Sequence, residues 1–388
     1  MAVPLSYSWR NLARRRLTTA LTAGGMALVV FVFAATLMLA EGLRQTLVAT
    51  GSPHNAILLR KGAETEVQSG IERWAAGIVR TSPEIAPGQD GLPLVARELL
   101  VLIGLPKKRT GVVANVPVRG VEPASLGLRP EFRLLRGRLP RPGSTEVLLG
   151  MAVARGFAEV DLGQALQFAQ ARWPVVGVFD VAGSGFGSEV WGDVEVLMQA
   201  FRRQAFSTVV LRLRDDAALE SLQVRLAADP RLQVDVFRET AFYEKQSEMM
   251  ATFLRVLGVS LTAIFSLGAM IGAMITMYSA VATRIAEIGA LRALGFGRGS
   301  ILLAFLLEAL LLGLLGGAVG VLAASALTQF TFSTTNFQTF SELAFTFRLT
   351  PGIAGLCLGF AAFMGVAGGL LPAVRAARLS IVEALRGA

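Results

Sequence analysis

The sequence predicts a polytopic α-helical membrane protein with four transmembrane helices and a large α+β extracytoplasmic domain between helices 1 and 2. Charged residues make up 17% of the 388 residues, whereas a soluble domain carries about 25%. The deficit is confined to four apolar stretches, and the rest of the chain has the composition of a soluble protein. Clusters of basic residues flank these stretches. Together, the low charge, its uneven distribution and the basic flanks predict the fold class.

Four stretches of the chain are long enough to cross a membrane. Three contain no charged residue, and the fourth contains only Glu308. Each reaches the roughly 20 apolar residues that span about 30 Å of hydrocarbon. Because backbone groups in lipid must satisfy their hydrogen bonds within the segment, we expect helices. The predicted transmembrane helices, which include these stretches, cover residues 17–40, 251–283, 301–328 and 349–374.

The basic residues predict on which side of the membrane each connection lies. Residues 41–250 hold 25 Lys and Arg against 24 Asp and Glu, whereas the rest of the chain holds 12 against 4. The excess precedes the first helix, separates the second from the third and follows the fourth, which places these segments in the cytoplasm. We therefore predict a cytoplasmic amphipathic N-terminal segment at 1–16, an extracytoplasmic domain at 41–250, a cytoplasmic loop at 284–300, an extracytoplasmic loop at 329–348 and a cytoplasmic tail at 375–388. The pI near 10.6 thus reflects these flanks and does not indicate nucleic-acid binding.

The extracytoplasmic domain combines strands and helices. Short β-branched runs bounded by Gly or Pro predict strands at 56–59, 99–103, 112–118, 175–179 and 209–213. Helical spacing predicts a helix at 219–228. Residues 239–255 contain no Gly or Pro, so one helix is expected to run from the domain into the second transmembrane segment. Two interpretations stay open: this helix carries motion across the membrane surface, or it is only the last helix of the domain.

Two aromatic segments of the exported part have no assigned function. The Gly-rich segment 179–193 contains Phe186 and Trp191 and lacks the Lys of a phosphate-binding loop. It is either a tight turn with its aromatic side chains packed inward or an exposed loop that touches a partner or lipid. The Phe-rich segment 331–347 is expected at the membrane surface.

The loop between the second and third transmembrane segments predicts a short amphipathic helix. Arg284 and Glu287 are spaced to pair on it, and Gly295 stands where a C-cap glycine would end it. This helix would either dock into a groove on a soluble partner or rest on lipid headgroups. Its apolar residues recur every three positions, at Ile285, Ile288, Leu291 and Leu294.

Three segments together resemble one family. Residues 284–295, Arg-Ile-Ala-Glu-Ile-Gly-Ala-Leu-Arg-Ala-Leu-Gly, resemble the coupling-helix signature of the MacB/FtsX-like permeases of ABC transporters. Residues 372–386 resemble that family's tail, residues 9–16 resemble its opening, and the order of segments is similar over the whole chain. The resemblance implies that the loop helix is a coupling helix seated on an ATPase subunit. The implied ATPase-coupling residues are Arg284, Ile285, Glu287, Ile288, Leu291, Arg292, Leu294 and Gly295.

The resemblance also implies a function. We expect a permease that works as a dimer with a second copy or a paralogue and relays ATP-driven closure of the ATPase pair to the external domain by mechanotransmission. It would export or extract a lipidic, lipoprotein or peptide substrate, with a periplasmic adaptor and an outer-membrane protein as further partners. The alternative is a non-transport subunit that regulates a cell-envelope enzyme. Either form would lie among lipids of the bacterial inner membrane, with both termini cytoplasmic.

The residues needed for ATP hydrolysis are not found in the sequence. A P-loop requires Gly-Lys-Ser/Thr, in which the Lys and backbone amides hold the phosphates. No lysine follows a glycine, and the four lysines are Lys61, Lys107, Lys108 and Lys245. We therefore expect a transport subunit without catalytic residues, with ATP and Mg on a separate ATPase chain and no cofactor bound directly. His54 and Cys357 are the only residues of their types, so no metal site is expected.

Polar and small residues inside the transmembrane segments are further candidates. Glu308 is interpreted as paired with Arg298 or with interfacial water, as part of the coupling route, or as a proton relay. Glycines at four-residue spacing predict close helix packing within or between subunits. These pairs are Gly268 and Gly272, Gly313 and Gly317, Gly316 and Gly320, Gly355 and Gly359, and Gly365 and Gly369.

Overall fold

The computed structural model describes residues 16–158, 160–336 and 341–379. The predicted N-terminal segment and the end of the predicted tail lie outside these ranges. The helices, in chain order, are α1 (Arg16–Val48), α2 (Arg73–Arg80), α3 (Pro123–Gly127), α4 (Met151–Gly156), α5 (Val194–Ala200), α6 (Ala218–Ala228), α7 (Glu239–Ala282), α8 (Ile285–Ala293), α9 (Arg298–Ser325) and α10 (Pro351–Arg378).

The strands are β1 (Asn55–Arg60), β2 (Val95–Pro106), β3 (Val113–Val121), β4 (Phe132–Gly137), β5 (Val147–Gly150), β6 (Ala165–Phe168), β7 (Ala171–Val181), β8 (Val190–Asp193), β9 (Thr208–Arg212), β10 (Val234–Arg238), β11 (Thr331–Asn336) and β12 (Ser341–Thr346). Two compact units emerge. A helical unit is drawn from 1–41, 252–330 and 347–388, and a sheet unit is drawn from 42–251 and 331–346.

Four described helices are long and apolar enough to cross a membrane: α1, α7, α9 with the 3₁₀ turn that follows it, and α10. The helix α7 runs unbroken for 44 residues, about 66 Å at 1.5 Å per residue. The expectation of one helix running on from Glu239 is therefore confirmed. In the helical unit α7 lies close to α1, because a Cβ on Gly258 would collide with the side chain of Thr36.

Small residues let α9 approach two neighbouring helices in the helical unit. A Cβ at Gly313 would lie 2.5 Å from the carbonyl oxygen of Ala361 on α10. A Cβ at Gly316 would lie 2.7 Å from the carbonyl oxygen of Ala23 on α1. These separations are too short for any side chain, so both contacts depend on glycine. In contrast, a Cβ at Gly268, Gly272, Gly355 or Gly359 would meet no atom within 4 Å.

The sheet unit is built on one mixed ten-stranded sheet with the order β10-β1-β9-β2-β3-β8-β5-β7-β4, and β6 pairs with β7. The strand β2 is long enough to pair with β9 through residues 95–98 and with β3 through residues 99–106. The parallel pairs are β3 with β8 and β5 with β7. Helices pack against this sheet, which confirms the predicted α+β class.

The Phe-rich segment forms a β-hairpin of β11 and β12. The strand β12 packs against the rest of the sheet unit: the amide of Ala344 donates to Oγ of Ser188 at 3.0 Å, and Glu342 pairs with Lys107 at 2.9 Å. Phe345 is buried, whereas Phe332 is half-exposed. Phe337 and Phe340 lie outside the described residues.

Candidate functional site

The helix α8 is held between α7 and α9 in the helical unit. Ile288 is 2% exposed and packs with Met277, Val281, Ile301 and Phe305. The helix ends at Ala293, and Gly295 follows the C-cap residue Leu294 with a φ of +93°, which suits glycine. The amide of Phe296 donates to the carbonyl oxygen of Leu291 at 3.1 Å, which is the closing bond of a Schellman cap.

A buried ion pair fixes the start of α8. Nη1 of Arg284 donates to Oε2 of Glu308 at 2.9 Å, and Nη2 donates to Oε1 at 3.1 Å. The two side chains are 5% and 6% exposed. The predicted pairing of Glu308 with Arg298 is wrong. Those two residues lie ten positions apart on α9, or about 15 Å along its axis, whereas Arg284 reaches Glu308 from the adjoining turn.

The other predicted coupling residues divide between the two faces of α8. Leu294 is 74% exposed and Glu287 is also exposed, so both lie on the outer face. Ile285 and Leu291 are half-buried. Arg292 is half-buried as well, and its Nη1 has no hydrogen-bond partner among the described residues. The predicted apolar residues therefore do not form one exposed stripe. Ile288 packs into the helical unit, whereas Leu294 is exposed on the surface.

The sheet unit contains a second charged constellation, which sequence reasoning missed. Arg119 on β3 is 1% exposed and binds three carboxylates: Glu66 at 2.7 Å, Glu98 at 2.9 Å and Glu189 at 2.7 Å. Arg129 adds a bidentate contact to Glu98 at 2.6 and 2.8 Å. The available signal was the presence of Glu98 and Arg119 within strands that are mostly apolar.

The first turns of α7 are attached to this cluster. Oε2 of Glu239 accepts from the amide of Ser52 and from Nδ2 of Asn55, both at 2.9 Å. The hydroxyl of Tyr243 donates to Oε2 of Glu66 at 3.3 Å. Glu239 and Tyr243 are both buried. The long helix is therefore held at its beginning by charged and polar contacts within the sheet unit.

Four buried carboxylates lie close to two guanidinium groups, and the pKa values of Glu98, Glu189 and Glu239 are shifted in different directions. Burial raises the pKa of Glu239 and of Glu189, although neighbouring arginines oppose this. Burial by itself would also raise the pKa of Glu98. Attraction to Arg129 and Arg119 outweighs this effect and lowers the pKa of Glu98 to about 2. The cluster thus contains one carboxylate that ionises readily, Glu98, and two that resist ionisation, Glu189 and Glu239.

The Gly-rich segment completes the surroundings of this cluster. Phe186 and Trp191 are fully buried, so of the two predicted conformations the inward-packed turn is the correct one. The guanidinium of Arg129 lies 4.4 Å from the centroid of the Phe186 ring, and that of Arg119 lies 5.1 Å from it. Nε1 of Trp191 donates to Glu189 at 2.8 Å.

Comparisons with known proteins agree with this architecture. The model of the MacB-like periplasmic core domain matches residues 19–229, and that of the FtsX-like permease C-terminal region matches residues 259–381. The chain therefore belongs to the MacB/FtsX-like family of ABC transporter permeases.

Similar individual proteins fall within the same family. The macrolide export ATP-binding/permease protein MacB of Hahella chejuensis is 26% identical over 97% of this chain. MacB 1 of Aeromonas hydrophila is 29% identical over 66% of it. The chain spans 59% and 41% of the lengths of these two relatives. The periplasmic region of MacB from Actinobacillus actinomycetemcomitans covers 52% of this chain and 95% of its own length, at 13% identity and a TM-score of 0.37.

Proposed function

We propose that this chain couples ATP hydrolysis by a separate ATPase subunit to movements of an extracytoplasmic domain, for export or extraction of a lipidic, lipoprotein or peptide substrate. The observation that carries the proposal is the Arg284–Glu308 pair. A helix that receives force must be fixed to its own subunit, and a buried bidentate pair supplies that attachment. Force on α8 would then pass directly to α9.

The outer face of α8 suits a cytoplasmic ATPase. It presents the charged Glu287, and the exposed Leu294 follows about two turns later at the end of the helix, a combination of apolar and charged side chains that helix-in-groove docking uses. The relatives named above are ATP-binding/permease proteins, which supports such a partner. ATP and Mg would be bound by that partner and not by the residues of this chain.

A second permease copy or a paralogue is the proposed partner within the membrane. In the helical unit, α1 and α7 line an apolar groove of about 560 Å³ that includes Gly25, Gly268 and Gly272. Gly355 and Gly359 form another open small-residue surface. Small residues allow another helix to approach closely in lipid. Membrane lipids would cover whatever the second subunit leaves exposed, in an inner membrane with both termini of the chain in the cytoplasm.

Pull-down of the cytoplasmic ATPase tests the proposal. The double variant Glu287→Arg/Leu294→Glu changes only the outer face of α8 and is expected to abolish recovery of the ATPase. The matched control Glu220→Arg/Val224→Glu changes exposed positions on α6 and should leave recovery unchanged. Undiminished recovery with the α8 variant would contradict the proposed docking face.

Co-purification would distinguish export of a substrate from regulation of a cell-envelope enzyme. Recovery of a periplasmic adaptor or an outer-membrane protein with the full chain supports export. Recovery of an enzyme that acts on the cell envelope supports the regulatory alternative. Loss of ATPase pull-down in the α8 variant is expected in both cases, because both use the same cytoplasmic contact.

A further inference from the structure

The sheet unit contains an apolar cavity that has no place in the coupling role. Its volume is about 300 Å³, at the lower end of the range of small-molecule sites, about 300–1,000 Å³. Trp191 and Leu148 lie behind its lining and are 0% and 2% exposed. Leu126 and Leu139 also line it. Leu139 remains 45% exposed at the entrance.

The wall that carries Leu139 is rigid before any ligand arrives. Arg138 holds Glu146 through two bonds of 2.6 Å, and Glu146 also accepts from the amide of Arg141 at 3.0 Å. The amide of Gly143 donates to Oδ2 of Asp193 at 2.8 Å. Prolines at 140 and 142 restrict this loop further. A cavity with a preformed wall loses little conformational entropy on binding, which favours a real binding site over a transient surface depression.

The charges at the entrance indicate the sign of the ligand. Glu122 accepts from Nε and the amide of Arg97, at 3.0 and 2.9 Å. Asp193 accepts from the amides of Glu195 and Gly143. Both carboxylates are thus committed to the fold. Arg141 lines the cavity and is exposed. Its guanidinium makes no direct hydrogen bond with a described residue, although its charge also acts on the Glu146 carboxylate.

We propose that this cavity binds an anionic amphiphile, with its apolar tail against Leu126 and Leu139 and its head group on the guanidinium of Arg141. An apolar lining favours an apolar tail, and an exposed guanidinium without a direct hydrogen-bond partner among the described residues favours a carboxylate or phosphate. The inference rests on the proposed function in one respect, since it assigns the class of substrate that the external domain receives. The binding itself does not require the ATPase.

Photo-labelling of the full chain tests the site. The protein is placed in nanodiscs of neutral phosphatidylcholine and labelled with a twelve-carbon fatty acid that carries a diazirine in its tail. The labelled peptides are then identified by mass spectrometry. Labelling is expected on the peptides that hold Leu126, Leu139 and Trp191. Unlabelled dodecanoate should compete, whereas dodecyltrimethylammonium should not.

Two variants and two controls decide the outcome. Arg141→Gln is expected to lower labelling of the cavity about tenfold, the factor for one lost charge-assisted contact. Leu139→Asn, which puts a polar side chain at the entrance, is also expected to lower it; both positions are exposed. Arg203→Gln and Val224→Asn alter exposed positions outside the cavity and should leave labelling unchanged. Labelling that survives both cavity variants, or that the cationic amphiphile removes equally well, overturns the proposal. If that happens while pull-down of the ATPase is intact, the cavity assignment fails and the coupling role stands.

Discussion

Arg284 and Glu308 bind each other through both terminal nitrogens and both carboxylate oxygens, at 2.9 and 3.1 Å, although both side chains are almost fully buried. Arg284 immediately precedes α8, and Glu308 belongs to α9. Because both side chains are buried, removing either one would leave the other as an uncompensated charge away from water, which is strongly destabilising. In the coupling role proposed above, force applied to α8 would enter α9 at this pair.

Replacing Arg284 with Ala should destabilise the helical unit by about 3–5 kcal/mol, the usual cost of leaving one partner of a buried pair unpaired. The exchange Arg284→Glu/Glu308→Arg should recover part of this loss, because it restores opposite charges. Arg231→Ala breaks a solvent-exposed pair with Asp229 and is the matched control, with little expected effect. Thermal denaturation in detergent measures all three. Equal stability of Arg284→Ala and the wild-type protein would contradict a structural role for the pair.

The buried cluster of the sheet unit should respond even more strongly to loss of Arg119. Arg119→Met leaves Glu66 and Glu189 without their shared cation, and we expect a loss of at least about 3–5 kcal/mol. Arg136→Met, which removes an exposed partner of Asp161, serves as control. Denaturant unfolding followed by tryptophan fluorescence provides the measurement, since Trp191 contacts Glu189. A similar small change for both variants would show that the cluster carries no stability.

The opposed pKa shifts predict two effects of pH on the sheet unit. Glu239 has a raised pKa in the folded state, so its contribution is present below the unfolded value of 4.5 and is lost as pH rises through the raised value. Glu98 has a pKa of about 2, so its contribution is present above 4.5 and is lost as pH falls toward 2. Glu239→Gln should therefore flatten the decline in stability above pH 4.5, and Glu98→Gln should flatten the decline below it. Unfolding free energies across this range, unchanged in slope by either variant, would contradict these assignments.

The glycines of the helical unit should differ sharply in their tolerance of substitution. Gly313→Val places atoms against the carbonyl of Ala361, so we expect α9 and α10 to separate and the protein to lose thermal stability. Gly355→Val meets open space and should leave the stability of a single chain unchanged. If Gly355 lies at a subunit contact, that variant should instead lower the fraction of dimer. Size-exclusion chromatography with light scattering separates the two effects.

Sequence patterns predicted those parts of the fold that are determined by residues close together in the sequence. The transmembrane helices were predicted from long apolar stretches, the strands from β-branched runs, and the helix cap from the glycine after α8. Each of these patterns involves only residues that are close in the sequence. The partner of Glu308 does not depend on neighbours: Arg284 and Arg298 were both basic residues near the same end of α9, and only three-dimensional packing distinguishes them. The Arg119 cluster was missed for the same reason, because its members are scattered from Glu66 to Glu189. The residues that neighbour each of these charges in the sequence do not indicate that the charges lie together inside one domain.

Site-specific cross-linking to the ATPase tests the central claim most directly. Cys357 is the only native cysteine and is buried, so a single new cysteine reports on its own surroundings. Glu287→Cys on the outer face of α8 is expected to cross-link to the co-expressed ATPase, and Val224→Cys on α6 is expected not to. A cross-link from Val224→Cys without one from Glu287→Cys would contradict the account.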